Sequence, residues 1–403
     1  MLMLLLIAIS CSKEEGSNQN TSQKPESQKR ELYTVYSTNT EEKEAGYVNR
    51  DGEQVIPFKF WECSRFKNGL ARAIILEGKQ KKAGFINKKG SYVIKPKFDM
   101  ASNFSEGLAA VEKDEKHGFI NTKGKEVIPL KFDDVHSFQS GLAAAKRGEE
   151  WGFINTKGDF TISPRFRYVR DFSEGLAPVE KDGKWGFINK NGTFVIEPIY
   201  FRAFEFHEGL ASVSKGEKFP GKTGYINKKG ETVIPFRFQD GSVGRFENGI
   251  VPVAREGKWG YINRNGKFEI SPEYGRAGYF REGLAKVLKG SYKNGKFGYI
   301  NRSGKTMIKF QYDLASFFSG GRAKVKIGNQ YQLIDREGNV LWKAEKNPEK
   351  NINTEKDVDL EVDTNKEITE RKIPSNITLT EEPDELDNAI TINYFKNETI
   401  ENP

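Results

Sequence analysis

Residues 173–206 read SEGLAPVEKDGKWGFINKNGTFVIEPIYFRAFEF, and every segment of this stretch has a local physical reading. Leu176 to Val179 suit a short strand, Asp182-Gly183 a turn, and Trp185 to Ile188 a second strand rich in aromatic and β-branched residues. Asn189-Lys190-Asn191-Gly192 predicts a tight turn, because an Asn side chain can bond the backbone ahead of it and Gly accepts positive φ. Phe194 to Ile196 give a third strand, expected to end at Pro198, which has no N–H to donate. Tyr200 and Phe206 then stand where a hydrophobic wedge between units is needed, and Phe98/Phe104, Phe132/Phe138 and Phe166/Phe172 match them elsewhere.

Working outward, the glycine of Trp185-Gly186 recurs at Gly46, Gly84, Gly118, Gly152, Gly224, Gly260 and Gly298, with spacings of 34 to 38 residues. A degenerate ninth copy, without the glycine, stands at Tyr331-Gln332-Leu333-Ile334-Asp335. The 403 residues therefore count units rather than globular domains. Three short strands cannot bury a core alone, so neighbouring units must stack. The expectation is an all-β chain of tandem three-stranded β-meanders, stacked as an open solenoid or superhelix because a propeller blade usually has four strands and more residues. A closed propeller-like ring is the alternative.

The motif set Lys184-Trp185-Gly186-Phe187-Ile188-Asn189, with Gly192 after it and Glu174-Gly175-Leu176-Ala177 before it, resembles the WG-containing (KWG) repeat family over residues 45–343. Trp survives only as Trp151, Trp185 and Trp259, with Ala45, Ala83, His117, Thr223 and Phe297 in its place elsewhere. The resemblance implies a secreted or envelope interaction module and carries over no enzymatic activity.

Outside the array the composition changes. Leu2 to Ile9 form an apolar run too short to span a bilayer, and Ala8-Ile9-Ser10-Cys11 resembles a relaxed lipobox, which implies lipidation of Cys11. Residues 12–44 read as a polar flexible tether, and residues 344–403 as an acidic, mostly disordered tail, with Ile390 to Phe395 able to form one added strand. The tail holds 7 Lys/Arg against 16 Asp/Glu, which leaves 57 against 40 in the rest of the chain. Such a basic body attracts polyanions without choosing among them.

Catalytic and metal signatures are weak. His117, His136 and His207 fall at different repeat positions and in no paired-ligand pattern, so neither a metal nor any other cofactor is expected. No nucleophile elbow is present, and the glycines match neither dinucleotide nor phosphate-loop patterns. Glu106, Glu174, Glu208 and Glu282 precede Gly-Leu-Ala in unit after unit, and a residue copied from unit to unit is a stacking residue, since catalysis needs only one site. Cys63 reads as a buried free thiol.

Basic residues recur before the motif (Lys82, Lys116, Lys184, Lys222, Lys258, Lys296) and in the turn after it (among them Arg50, Lys190, Lys228, Arg264, Arg302, Arg336). The three longest first hairpins add Lys79 and Lys81, Lys215 and Lys218, and Lys289 and Lys293, which become the candidate ligand-binding residues. The expected function is that of a non-catalytic envelope lipoprotein, held to the membrane by its lipid. It would bind an envelope or extracellular protein or an anionic glycan, through the basic turn face in the polyanion case. A protein scaffold or adhesin using aromatics such as Trp61 or Tyr292 is the alternative, with a hydrolase last. Nucleic acid is not an expected partner for an envelope protein.

Overall fold

The computed structural model describes residues 31–37, 44–216, 221–239 and 241–343, and among them every regular element is a β-strand. The expectations for Cys11, Lys218 and the acidic tail lie outside these residues. The strands form nine antiparallel sheets in chain order, blades 1 to 9 of a closed propeller. Blade 5 is representative, with strands Tyr168–Val169, Ala177–Lys181, Lys184–Ile188 and Phe194–Tyr200 hydrogen-bonded in that order.

Two expectations are corrected by this blade. Most units have a fourth strand of two residues, such as Tyr168–Val169, between the two wedge aromatics, where no strand was expected; Val169 pairs with Val179 and Tyr168 with Glu180. The last strand also does not stop at Pro198 but runs on to Tyr200. It does so through a register shift opposite Gly186, between the pairs Phe187↔Ile196 and Trp185↔Tyr200, where a proline's missing N–H costs no ladder bond. The bulge explains the recurring glycine. A Cβ on Gly186 would lie 2.6 Å from the Ile196 carbonyl oxygen, and Gly84, Gly224 and Gly298 meet the corresponding carbonyl in the same way. The strand is bent onto the glycine's backbone, so no side chain fits there.

Packing between blades uses the two aromatics read as a wedge. The residue after the motif glycine lies against the second wedge aromatic of the following blade. The ring centroids are 4.7 Å apart for Phe85 and Phe104, 4.8 Å for Phe153 and Phe172, and 4.9 Å for Phe187 and Phe206. Such pairs add about 0.5–1.5 kcal/mol each beyond the area they bury. The core is thus a circle of seams rather than one central mass, each seam holding its own cluster of buried residues.

Closure replaces the expected open stack. The Arg264 guanidinium reaches the Glu208 turn of the preceding blade, Arg302 the Asn248 turn and Arg336 the Glu282 turn. Arg50 of blade 1 stands in the same relation to Gly321 of blade 9, 3.7 Å from an ideal Cβ on that glycine, as Arg264 does to Gly209. Blade 1 therefore follows blade 9 as blade 7 follows blade 6. Tyr33 Oη donates to the Gly320 carbonyl (2.9 Å), Arg322 Nε to the Arg50 carbonyl (3.2 Å), and Val35, Val48 and Leu333 form a buried cluster between the two blades. Tyr33–Tyr36, expected to lie in the tether, is a strand of blade 1 paired with Ala45–Val48.

Each two-residue strand forms the inner edge of its blade, opposite the long last strand. The outermost strands alternate and expose Val55, Val93, Val127 and Val195.

Candidate functional site

The recurring polar residues have blade-to-blade work to do. Glu174 holds φ at 52° in a two-residue turn with Gly175, and its carboxylate accepts the Gly209 N–H of the next blade at 3.0 Å. Glu106 does the same for Gly141 (2.9 Å), Glu208 for Gly249 (2.8 Å) and Glu282 for both Gly320 and Gly321. In the opposite direction, turn cations donate to the preceding blade, Lys190 to the Ser140 carbonyl and Lys228 to the Glu174 carbonyl. Lysines before the motif pair with the acid that leads into the next blade, as Lys82–Asp99 (2.5 Å), Lys116–Asp133 (2.6 Å) and Lys296–Asp313. Those lysines hold the three aspartates below the usual carboxylate range. Much of the expected basic stripe is therefore the mortar of the ring.

The insertion lysines are dispersed. Lys79 and Lys81 are on blade 2, Lys215 on blade 6, and Lys289 and Lys293 on blade 8; all five are exposed, and all lie at the first hairpin of their blades. The ring brings no two of these pairs onto adjacent blades. Three of the lysines sit over aromatic rings: Lys81 over Trp61 (5.1 Å), Lys215 over Phe236 (4.6 Å) and Lys289 over Phe310 (5.4 Å). In blade 2 the added residues lengthen the ladder itself, pairing Leu76 with Lys81 and Glu77 with Gln80, in place of the expected loop. Trp61 is half-buried, Tyr292 is exposed, and Cys63 is a buried free thiol.

The repeat breaks down just after each two-residue strand and at the same column of blades 7 and 8. Between two near-constant aromatics the chain carries, from blade 2 to blade 9, Ser64, Ser102, His136, Arg170, Phe204, Gly244, Gly278 and Ser316. Each is followed by an equally unlike neighbour: Arg65, Asn103, Ser137, Asp171, Glu205, Arg245, Tyr279 and Phe317. These columns stand at the inner edge, and from blade 4 to blade 1 they form a continuous belt. His136 Nδ1 meets Asp171 Oδ1 of the next blade at 2.8 Å, with the His136 ring 4.9 Å from that of Trp151. Arg170 lies 3.9 Å from Glu205 and stacks 4.3 Å from the Phe204 centroid. Glu247 is clamped by Arg245 (2.9 Å) and by Arg281 of the following blade (2.8 Å). The Arg245 backbone N–H donates to Tyr279 Oη (3.0 Å), Lys286 covers Phe317 (4.4 Å), and Lys324 covers Tyr36 across the closing seam (4.3 Å).

Two groups in the belt titrate abnormally. Burial disfavours the His136 imidazolium, but the Asp171 hydrogen bond and the carboxylates of Asp171, Asp134 and Glu205 outweigh it, so its pKa stands above the ordinary histidine value. Burial raises the Glu205 carboxyl, Arg170 opposes the rise, and Asp171 adds to it. Both side chains keep some solvent contact, 14% of the surface for His136 and 19% for Glu205. By sequence alone His136 is one of three ordinary histidines. The signal available there was the column itself, two unlike residues between positions that hardly vary. Among the described residues no three His, Cys, Asp or Glu side chains gather as a metal site.

The WG containing repeat family matches residues 46–79, 84–116, 118–150, 151–185, 185–219, 224–259, 259–292 and 297–331, one match for each of eight motif copies. A search of curated proteins found no relative. Among solved structures, the β-propeller domain of the trilobed protease from Pyrococcus furiosus is 15% identical, with 62% of this chain and 99% of that one aligned at a TM-score of 0.39. Porphyromonas gingivalis dipeptidyl peptidase 4 is 11% identical, covering 80% and 59% at 0.44. A eukaryotic initiation factor is 11% identical, covering 65% and 92% at 0.41. Likenesses this distant transfer neither an activity nor a partner.

Proposed function

We propose, from the premise that this chain belongs to the WG-containing repeat family, that it is a non-catalytic binding scaffold whose ring engages a macromolecular partner through the inner belt. One observation carries the reading. The repeated acids and bases are engaged in holding blades together, whereas the residues that differ from blade to blade collect at the inner edge. Repetition builds a ring, but recognition of one partner requires positions that are not repeated. The belt and the cations beside it include Arg65, Arg72, Arg170, Arg245, Arg281, Lys286 and Lys324, against Glu62, Asp171, Glu205 and Glu247. A partner bearing acidic groups, protein or glycan, is favoured by that excess.

Envelope location and lipid attachment at Cys11 complete the proposal; palmitate labelling that survives Cys11→Ala would remove the anchor from it. A second reading keeps the hairpin lysines as the contact, supported by the regular seating of Lys81, Lys215 and Lys289 over aromatic rings on one side of their blades. Retention of the full chain on sulfated-glycan and acidic-peptide columns, with salt as eluant, separates the two. Lys286→Gln with Lys324→Gln is expected to weaken retention about tenfold, and the six hairpin substitutions by less than about twofold, since exposed single charges contribute little. The reverse order would move the site to the hairpin face.

A further inference from the structure

One seam carries a cleft that the belt does not use. Between blades 6 and 7 lies a cleft of about 270 Å³, lined by Arg237, Phe238, Arg255, Gly266, Lys267 and Phe268. Phe238 is buried and Phe268 half-buried, and both are aromatic walls; Arg237, Arg255 and Lys267 stand around them, all three exposed. The two guanidiniums are seated, not trailing: Arg237 stands 5.2 Å from the Phe238 centroid and Arg255 5.3 Å from that of Phe268. Arg237 also donates to the Gly266 carbonyl, which ties it to the opposite blade.

Corresponding positions at other seams differ. Lys131, Arg147 and Asp159 meet between blades 3 and 4, Ile199, Lys215 and Glu231 between 5 and 6, and Glu273, Lys289 and Lys305 between 7 and 8, so each of these sets contains a carboxylate. Blades 2 and 3 bring together Lys97, Lys113 and Lys125, three flexible ammonium groups. From blade 3 onward, only the seam between blades 6 and 7 places two arginines and a lysine together. Among the described residues no ion pair joins Arg237, Arg255 or Lys267 to a carboxylate, although three like charges around one cleft repel each other.

We propose that this cleft binds a phosphate or sulfate group carried on a compact ligand such as a single sugar ring. A guanidinium fixed by its face on an aromatic ring leaves its N–H edge for an oxyanion, and two of them with an ammonium supply forked donors and a point charge. The volume sits just below the usual range for small-molecule sites, which suits one ring and its substituent and excludes a polymer segment of several residues.

Calorimetry on the full chain, with inorganic phosphate, inorganic sulfate, a hexose 6-phosphate and a hexose 6-sulfate as probes, tests the site and tells the two oxyanions apart. Saturable binding of at least one probe, in the low-millimolar range or tighter, is expected. It should weaken about tenfold or more in Arg255→Gln/Lys267→Gln and stay unchanged in Lys97→Gln/Lys113→Gln, which removes the same charge elsewhere. If the first variant folds poorly, phenylglyoxal modification of the unsubstituted chain tests the same contact: bound probe should protect Arg255, and modification at an undiminished rate would count against the site. No saturable heat with any probe, or equal weakening in both variants, would overturn the proposal.

Discussion

At the scale of single residues, the glycine after the motif aromatic is the least replaceable position, because the bent outer strand occupies the space a side chain needs. Gly186→Ala puts a Cβ 2.6 Å from the Ile196 carbonyl, whereas the same change at Gly183, in open space at φ 78°, strains only the turn. The first substitution is expected to cost about 2–4 kcal/mol and the second about 1 kcal/mol in urea unfolding. Equal losses at the two sites would show that the contact is relieved by strand movement. His136 supplies a second test. Its folded pKa is raised, so the stability it contributes is complete below its unfolded value near 6.5 and is lost as pH climbs through the folded value. Glu205, also raised, acts with the same sign from its own unfolded value upward. Thermal midpoints should therefore fall as pH rises from mildly acidic values, with the His136 share of the fall coming above about 6.5, and His136→Gln should flatten that upper part of the slope. An unchanged slope in the variant would place the titration elsewhere.

At the scale of elements, three strands of each blade were legible in the motif because tight turns and aromatic or β-branched runs define them. The two-residue strand was not. Tyr168–Val169 is too short to show alternation, and its pairing to Val179 and Glu180 is decided by the neighbouring strand, not by its own composition. Glu106, Glu174, Glu208 and Glu282 were legible as stacking residues, while their partners, backbone N–H groups of the next blade, are a fact of three-dimensional packing. Since one carboxylate of Glu282 accepts from both Gly320 and Gly321, Glu282→Ala strands two backbone donors at a seam and is expected to cost about 1–3 kcal/mol. Chemical denaturation measures it directly; a loss below about 0.5 kcal/mol would mean that water satisfies both groups. The belt escaped sequence reading for the converse reason: the repeat draws attention to what recurs, and His136, Arg170 and Glu205 are where it stops recurring.

At the scale of the whole molecule, closure is a sum of small rotations, and nothing local in the sequence states that nine blades complete the circle. The favoured open stack assumed three strands per unit, whereas seven of the nine blades have four and the ends meet. The meeting is made by side chains and a few hydrogen bonds, since Tyr33–Tyr36 pairs within its own blade and, among the described residues, no strand of blade 9 crosses into blade 1. Val35→Asp buries a charge in that contact and is expected to cost several kcal/mol. Small-angle scattering should then show a longer maximum dimension as the ring opens. If the dimension is unchanged while stability falls, the seam tolerates the charge without parting.

That same seam gives the molecule a mechanical polarity. The described chain enters the ring through blade 1 and leaves it through blade 9, so a pull applied between Tyr33 and Lys343 is borne first by their shared boundary. There Leu333, Val35 and Val48 replace the wedge pair of the other seams, and the aromatic contacts are the looser Tyr36–Tyr331 (5.9 Å) and Phe58–Trp342 (6.4 Å). Under tension the circle would part at its clasp and unroll as a string of blades still joined in order, a built-in fuse that protects the eight remaining seams.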